Sequence, residues 1–136
     1  MQISFSKQEG RIPVTVMHLT GNLDASNYTD IIAKAQEIYN EGTRDLLIDL
    51  SKVPYISSAG LMSLHAVVLI FAGKSVLSKE TNRPSFRSID PQRDKAGLQH
   101  VKLLSPQIAV EQVLDVVGLK QFLDIHTDLE TAIQSF

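Results

Sequence analysis

The chain has 136 residues, 43% of them hydrophobic, and this length predicts one domain that buries about two-thirds of the surface its unfolded chain would expose. It contains no cysteine, which excludes thiolate metal sites, disulfides and thiol catalysis and favours a reducing cytoplasm. The 13 basic and 15 acidic residues are mixed along the chain, so the net charge of -2 gives no footprint for direct nucleic-acid binding.

The sequence shows no sign of export or of membrane insertion. Residues 1–7 lack a basic start followed by an apolar run. The longest uninterrupted apolar run, residues 66–72, is far shorter than the roughly 20 residues that a membrane span needs. We therefore expect a cytoplasmic protein without a membrane-inserted segment.

The N-terminal part of the chain predicts a β-hairpin followed by a helix. Residues 2–7 alternate between apolar and polar side chains, and a turn then leads into a second strand at 12–19. Because Pro13 has no amide hydrogen, the early part of that strand should lie at a sheet edge or bulge. Asp24 or Ser26 is the expected N-cap of the helix. Its apolar stripe, which should end near Gly42, consists of Tyr28, Ile31, Ile32, Ala35, Ile38 and Tyr39.

The middle of the chain predicts a buried strand and an unusually apolar helix. Residues 46–50 form a short continuous apolar run, which is typical of a central strand covered on both faces. Residues 61–77 contain few polar side chains, so this helix should be buried or contact a partner. Residues 79–97 are rich in charge and contain two prolines, which predicts a mobile insertion, with a partner-binding or regulatory arm as the alternative.

The C-terminal part predicts a strand at 100–104, followed by a helix. Ser105 is the expected N-cap and Pro106 the first helical residue. Gly118 should end this helix in a left-handed conformation.

A last strand and a last helix complete the predicted order. The strand falls at 122–125, and Thr127 with Glu130 forms a capping box for the helix. The elements then follow as β-β-α-β-α-loop-β-α-β-α, which predicts an α/β fold in a single domain of residues 1–136.

Ser57 and Ser58 lie where the buried strand gives way to the apolar helix. A serine at this position meets the unpaired amides and the positive end of the helix dipole, so a phosphate added to it would be held there. The turn is therefore a candidate switch. The alternative is that one of the two serines is simply a helix N-cap.

Other kinds of site have little support. The histidines fall on separate predicted elements without paired spacing, so we expect no metal. Nucleotide-binding glycine loops and a nucleophile elbow are absent from the sequence, so we expect neither a cofactor nor an enzyme. The enzymatic alternative is a nucleophilic Ser58 with His65 or His18 as its base.

Three short motifs in this order of elements resemble the STAS family. They are Leu-Thr-Gly-Asn-Leu-Asp at 19–24, Asp-Leu-Ser at 49–51 and Ile-Ser-Ser-Ala-Gly-Leu at 56–61. The resemblance is to stand-alone bacterial members, the anti-sigma-factor antagonists, and spans nearly the whole chain except residues 79–97. It implies a small mixed β-sheet backed by helices.

The resemblance also implies partner switching. The unphosphorylated protein would bind an anti-sigma factor that is also a serine kinase and so free the sigma factor. Phosphorylation with ATP would release the protein, and a phosphatase would reset the cycle. The family's acceptor serine falls on Ser58 and its glycine on Gly60. Ser57 replaces the aspartate that many members have and is the second choice of acceptor.

The partner-binding residues expected from this resemblance surround the turn. Asp24 matches a family acidic residue near the acceptor, and an N-cap role for it is equally consistent with the sequence. Met62 and His65, on the following helix, join Ser57, Ser58 and Gly60 in the expected surface. The alternative within the family is a scaffold or accessory subunit, in a stressosome-like assembly or a lipid-transport complex.

Overall fold

The computed structural model describes residues 1–73 and 95–136. Within these two ranges, a five-stranded sheet with the order β1-β2-β3-β4-β5 forms the centre of the fold. The first two strands are antiparallel, and each later strand is parallel to its neighbour. The strands are β1 (Gln2–Glu9), β2 (Pro13–Thr20), β3 (Leu46–Lys52), β4 (Val101–Leu104) and β5 (Ile125–His126).

In the described part of the chain, five α-helices and one 3-10 turn connect and cover the strands. The mixed α/β architecture and the broad order of elements predicted from the sequence are confirmed. The helices are α1 (Tyr28–Asn40), α2 (Ser58–Phe71), α3 (Lys95–His100), α4 (Ile108–Val116) and α5 (Leu129–Gln134), and the 3-10 turn is Leu119–Gln121. Most of the predicted insertion at 79–97 lies outside the described residues, and its last three residues begin α3.

The predicted hairpin is present, and Pro13 lies in the early part of β2 that is unpaired on the side of β3. β2 lies between β1 and β3, and Pro13 is its first residue, paired with Glu9. The pairing of β2 with β3 begins only at Thr15, opposite Leu46. Pro13 therefore lies beyond the parallel ladder, where its missing amide hydrogen removes no bond to β3.

β3 is covered on both faces, as its continuous apolar run predicts. Leu46, Ile48 and Leu50 pack into a core shared with α1, α2 and α4, whereas Leu47 packs into a second core with α5. These alternate directions follow from the two-residue period of a strand. The stripe predicted for α1 is also confirmed, with Ile31, Ile32, Ala35 and Ile38 buried.

The expected N-caps of α1 and α4 are wrong. Asn27 is the N-cap residue of α1, because Asp24 and Ser26 belong to a turn that precedes it. In α4 the cap is Gln107, which has extended backbone angles. Ser105 instead has a φ of 50°, a left-handed conformation that ends β4 and cannot start a helix.

The end of α4 matches its prediction, whereas the start of α5 does not. Gly118 follows α4 with a φ of 85°, as a left-handed C-terminal residue should. The capping box of Thr127 and Glu130 is wrong, because the Asp128 side chain caps α5 and accepts from the Thr131 amide at 2.9 Å.

Two strand boundaries also differ from their predictions. The last strand is Ile125–His126 rather than 122–125, since Phe122 and Leu123 complete the turn that follows α4. His100 ends α3 instead of starting β4. Within residues 1–73 and 95–136, no helix is both long and apolar enough to cross a bilayer.

Candidate functional site

The two serines of the predicted switch have different positions at the start of α2. Ser57 has extended backbone angles and is the N-cap, and its hydroxyl oxygen accepts a hydrogen bond from the Gly60 amide at 3.3 Å. Ser58 is the first helical residue and is exposed. Its side chain makes no hydrogen bond within the described residues. The cap and the accessible hydroxyl are thus separate residues.

The loop between β2 and α1 is held against this turn by backbone hydrogen bonds. Leu23 and Ile56 form an isolated parallel bridge. The Leu23 amide donates to the Tyr55 carbonyl at 2.9 Å, and the Ser57 amide donates to the Leu23 carbonyl at 2.9 Å. Asp24, which follows Leu23, therefore lies beside the start of α2.

Gly60 permits this close approach of α2 to the loop. A β-carbon at residue 60 would lie 2.5 Å from the Leu23 carbonyl oxygen and 2.8 Å from Cγ1 of Ile56. The first of these contacts is with backbone, which cannot move aside as a flexible side chain can. Gly60 is buried, so its role at the site is to shape the turn rather than to contact a partner.

Asp24 is half-buried and keeps its negative charge at neutral pH. Hydrogen bonds from the Ser26 hydroxyl, at 2.5 Å, and from the Ser26 amide, at 2.9 Å, lower the pKa of the Asp24 carboxyl. The Asp24 amide donates to Oδ1 of Asn27 at 3.0 Å, and Nδ2 of Asn27 donates to the Asn22 carbonyl at 2.7 Å. The buried Asn27 thus fixes the loop that carries the carboxylate.

Asn27 and Tyr55 were missed by the sequence analysis. The preference of asparagine for N-cap positions is a signal that could have found Asn27. Tyr55 is 55% exposed directly before the turn, and a large aromatic side chain left in solvent is a common feature of binding surfaces. Its exposure was not visible in the sequence, because it depends on how residues 53–56 fold.

Met62 and His65 differ in their access to solvent. Met62 is half-buried on the first turns of α2, four residues after Ser58 and so on the same side of the helix. His65 is buried, with 9% of its surface exposed. Beyond its first turn α2 is covered by other parts of the domain, and it contacts both α1 and α3.

The start of α2 suits an anion. The helix has 14 residues and no acidic side chain in its first turn. Amides in the first turn of a helix lack intrahelical acceptors, and the helix dipole adds a partial positive charge there. A phosphate on Ser58 would thus meet favourable backbone amides. The nearby Asp24 carboxylate carries a negative charge and would repel it.

Within residues 1–73 and 95–136, the structure does not pair Ser58 with a base. His18 contacts Ser6 and Asp49 instead, through both of its ring nitrogens. His65 lies seven residues along α2, about 10 Å along the helix axis from Ser58. In the part of the chain that the structure describes, no group of three or more metal-ligating side chains is placed to hold an ion.

Comparisons with known proteins agree with this architecture. A family model described as "Mlab, STAS domain" matches residues 8–84. No curated protein sequence matches the chain. Several solved structures share its fold at low sequence identity.

A Thermotoga maritima protein assigned as an anti-sigma factor antagonist is 16% identical, with a TM-score of 0.71, and the match covers 97% of this chain and 92% of that one. An anti-sigma factor antagonist from Mycobacterium paratuberculosis is 19% identical, with a TM-score of 0.64 over 98% and 95% of the two chains. The unphosphorylated antagonist SpoIIAA from Bacillus is 18% identical, with a TM-score of 0.59 over 96% and 93%. SpoIIAA has also been solved in its phosphorylated form. Because the family model covers more than half of the residues and these structures share the fold, the chain belongs to the STAS domain family.

Proposed function

We propose that the protein is a cytoplasmic anti-sigma-factor antagonist that regulates transcription by binding rather than by catalysis. Its partner is an anti-sigma factor that is also a serine kinase, and phosphorylation of Ser58 by that kinase ends the binding. The observation that carries the proposal is the exposed Ser58 at the start of α2, beside the loop that holds Asp24. The antagonists among the solved structures, one of them also solved in a phosphorylated form, support it.

The proposed contact area, which we term the switch surface, consists of Asp24, Tyr55, Ser57, Ser58 and Met62. All five are at least partly exposed, and the Leu23–Ile56 bridge holds the two segments together. An aromatic ring, a methionine and a carboxylate around an accessible hydroxyl give the partner both apolar and charged contacts.

Two residues expected at this surface are not part of it in the proposal. Gly60 acts through the shape of the turn, since its position admits no side chain. His65 is left out of the switch surface because it is buried.

Ser58 is preferred over Ser57 because its hydroxyl is exposed and makes no hydrogen bond within the described residues. The Ser57 hydroxyl is half-buried and already accepts the Gly60 amide. A phosphate on Ser57 would have to displace the cap of α2, whereas a phosphate on Ser58 leaves the cap in place.

Phosphorylation should disrupt binding without disrupting the fold. A phosphoserine carries a charge of about −1.5 to −2 at pH 7, which the amides at the start of a helix can accept. Next to the ionised Asp24, this charge makes a negative patch that a packed partner would have to desolvate. The cost therefore falls on the complex and not on the folded protein.

The decisive experiment combines phosphorylation with binding. The protein is incubated with ATP and an anti-sigma factor kinase from the same organism, and peptide mapping by mass spectrometry identifies the modified serine. Calorimetry then compares the affinity of the kinase for the wild type, Ser58→Ala and Ser58→Asp. We expect phosphate on Ser58, wild-type affinity for Ser58→Ala and an affinity at least about tenfold weaker for Ser58→Asp, a loss of about 1.4 kcal/mol.

The matched control is Ser4→Asp, which adds the same charge on β1 and should bind as the wild type does. A serine phosphatase should restore the binding of the phosphorylated protein. Equal affinity for all variants, or phosphate on neither Ser57 nor Ser58, would refute the proposal.

An accessory subunit of a larger complex is the second candidate. The description of the matching family model, which names Mlab beside the STAS domain, favours it. In this role the switch surface would bind a stable partner and need no phosphate. Copurification of the native protein with transporter subunits, unchanged by Ser58→Asp, would support this candidate over the switch.

A further inference from the structure

A second polar cluster lies on the face of the sheet opposite α1 and α2. It consists of Ser6 on β1, His18 on β2 and Asp49 on β3. On this face α5 covers Val14 and Val16, and the cluster lies beyond the covered part. None of its residues belongs to the switch surface.

The three side chains form a continuous chain of hydrogen bonds across three adjacent strands. The Ser6 hydroxyl lies 2.9 Å from Nε2 of His18, and Nδ1 of His18 lies 2.9 Å from Oδ2 of Asp49. The other carboxylate oxygen of Asp49 accepts the Ser51 amide at 2.9 Å. A hydroxyl beside an imidazole that a carboxylate orients is the geometry of an activated serine nucleophile.

The ionisation of Asp49 determines the direction of these hydrogen bonds. Burial raises the pKa of Asp49, but hydrogen bonds from Ser51 and His18 outweigh burial, and the net pKa is lowered. An ionised carboxylate only accepts hydrogen bonds, so Nδ1 of His18 must donate to it. In the neutral ring Nε2 then carries no proton and accepts the hydroxyl hydrogen of Ser6.

The cluster is accessible to a small molecule. The side chain of His18 is 37% exposed, and Ser6 is half-buried at the outer strand of the sheet. Asp49 is more enclosed, with 18% of its side chain exposed, as suits a residue that orients the base.

We propose that Ser6 is an acyl-acceptor site, with His18 as its general base and Asp49 as the residue that orients His18. The substrate class is activated carboxylic esters. The Ser6 oxygen attacks the carbonyl carbon and forms a new carbon–oxygen bond, while its proton passes to Nε2 of His18. The bond to the leaving oxygen then breaks, and this oxygen departs with the electron pair and takes the proton from His18. The products are an O-acyl serine and an alcohol, formed in one covalent event per chain.

The test uses p-nitrophenyl acetate as the probe and the complete chain. Nitrophenolate release is followed by absorbance, and peptide mapping by mass spectrometry locates the acetyl group. We expect acetylation of Ser6 in the wild type, none at this position in Ser6→Ala, and rates about 100-fold lower in His18→Gln and Asp49→Asn, the range typical of general-base catalysis.

Ser4 is the internal control, because it lies opposite His18 in the β1–β2 register but makes no hydrogen bond to the His18 ring within the described residues. Ser4→Ala should keep the wild-type rate. Acetylation of Ser6 no faster than that of Ser4 in the wild type would overturn the proposal, even if the His18 and Asp49 variants failed to fold.

Discussion

At the scale of single residues, neighbouring positions at the start of α2 have unlike physical roles. The Ser57 side chain closes the helix end, Ser58 presents a hydroxyl to solvent and Gly60 lets two backbone segments touch. The sequence identified all three positions, but it left open which serine was the cap. The answer depended on the backbone angles of Ser57, which place it just outside the helix.

The two serines should therefore differ in their effect on stability. Ser57→Ala removes the side-chain acceptor of the Gly60 amide and should lower the free energy of unfolding by about 1 kcal/mol. Ser58→Ala removes an exposed hydroxyl and should change it by less than about 0.5 kcal/mol. Urea unfolding followed by circular dichroism measures both. A larger loss for Ser58→Ala would show that the cap has been assigned to the wrong residue.

Gly60→Ala should destabilise the fold through overpacking. The added methyl group would lie 2.5 Å from the Leu23 carbonyl oxygen, so α2 or the loop must shift, at a cost of about 1–3 kcal/mol. Ser58→Ala, two residues earlier on the same helix, is the matched control. Thermal unfolding of the two variants gives the comparison, and a Gly60→Ala protein as stable as the wild type would contradict the close contact.

At the scale of elements, strands and helix faces were more predictable than helix ends. The hairpin of β1 and β2 and the apolar stripe in α1 follow from the fixed periods of strand and helix. Helix starts depend on single hydrogen bonds. The Asp128 side chain caps α5, whereas Asn27 stands at the start of α1 without a side-chain cap hydrogen bond and uses its amide group to hold the preceding loop.

The apolar composition of α2 predicts a steep cost for shortening its side chains. Ile70→Ala, at a position 1% exposed, should lower the free energy of unfolding by about 2–5 kcal/mol. Ile108→Ala, at the 76% exposed start of α4, makes the same chemical change and should cost less than about 0.5 kcal/mol. Chemical denaturation of both variants tests the contrast, and similar losses would mean that α2 is not the buried helix described.

At the scale of the whole molecule, hydrogen bonds between distant segments make the fold sensitive to acid. Asp49, whose pKa is lowered from its ordinary value of 3.8, connects β3 to β2 through His18. A group with a depressed folded-state pKa contributes stability above its unfolded pKa, and this contribution is lost as the pH falls through the folded pKa. Asp24 and Asp128, with lowered pKa values of their own, act in the same direction.

We therefore expect the free energy of unfolding to decrease as the pH falls below about 4, where unfolded aspartates begin to take up protons. Asp49→Asn removes one of the three carboxylates that contribute to this pH dependence. The free energy of unfolding of the variant should be lower than that of the wild type at neutral pH and should decrease less steeply as the pH falls. Urea unfolding at a series of pH values from 2 to about 7 measures both slopes. Parallel curves for the two proteins would contradict the role of Asp49.

The sequence by itself determined the α/β class, the order of most elements, the turn that carries Ser57 and Ser58, and the resemblance to the STAS family. These properties depend on local periodicity and short motifs, which involve only residues close together in the sequence. Tertiary structure alone decided that His65 is buried, and that Ser6, His18 and Asp49 form one chain of hydrogen bonds. Each of these depends on strand order and register, which bring together residues that are far apart in sequence.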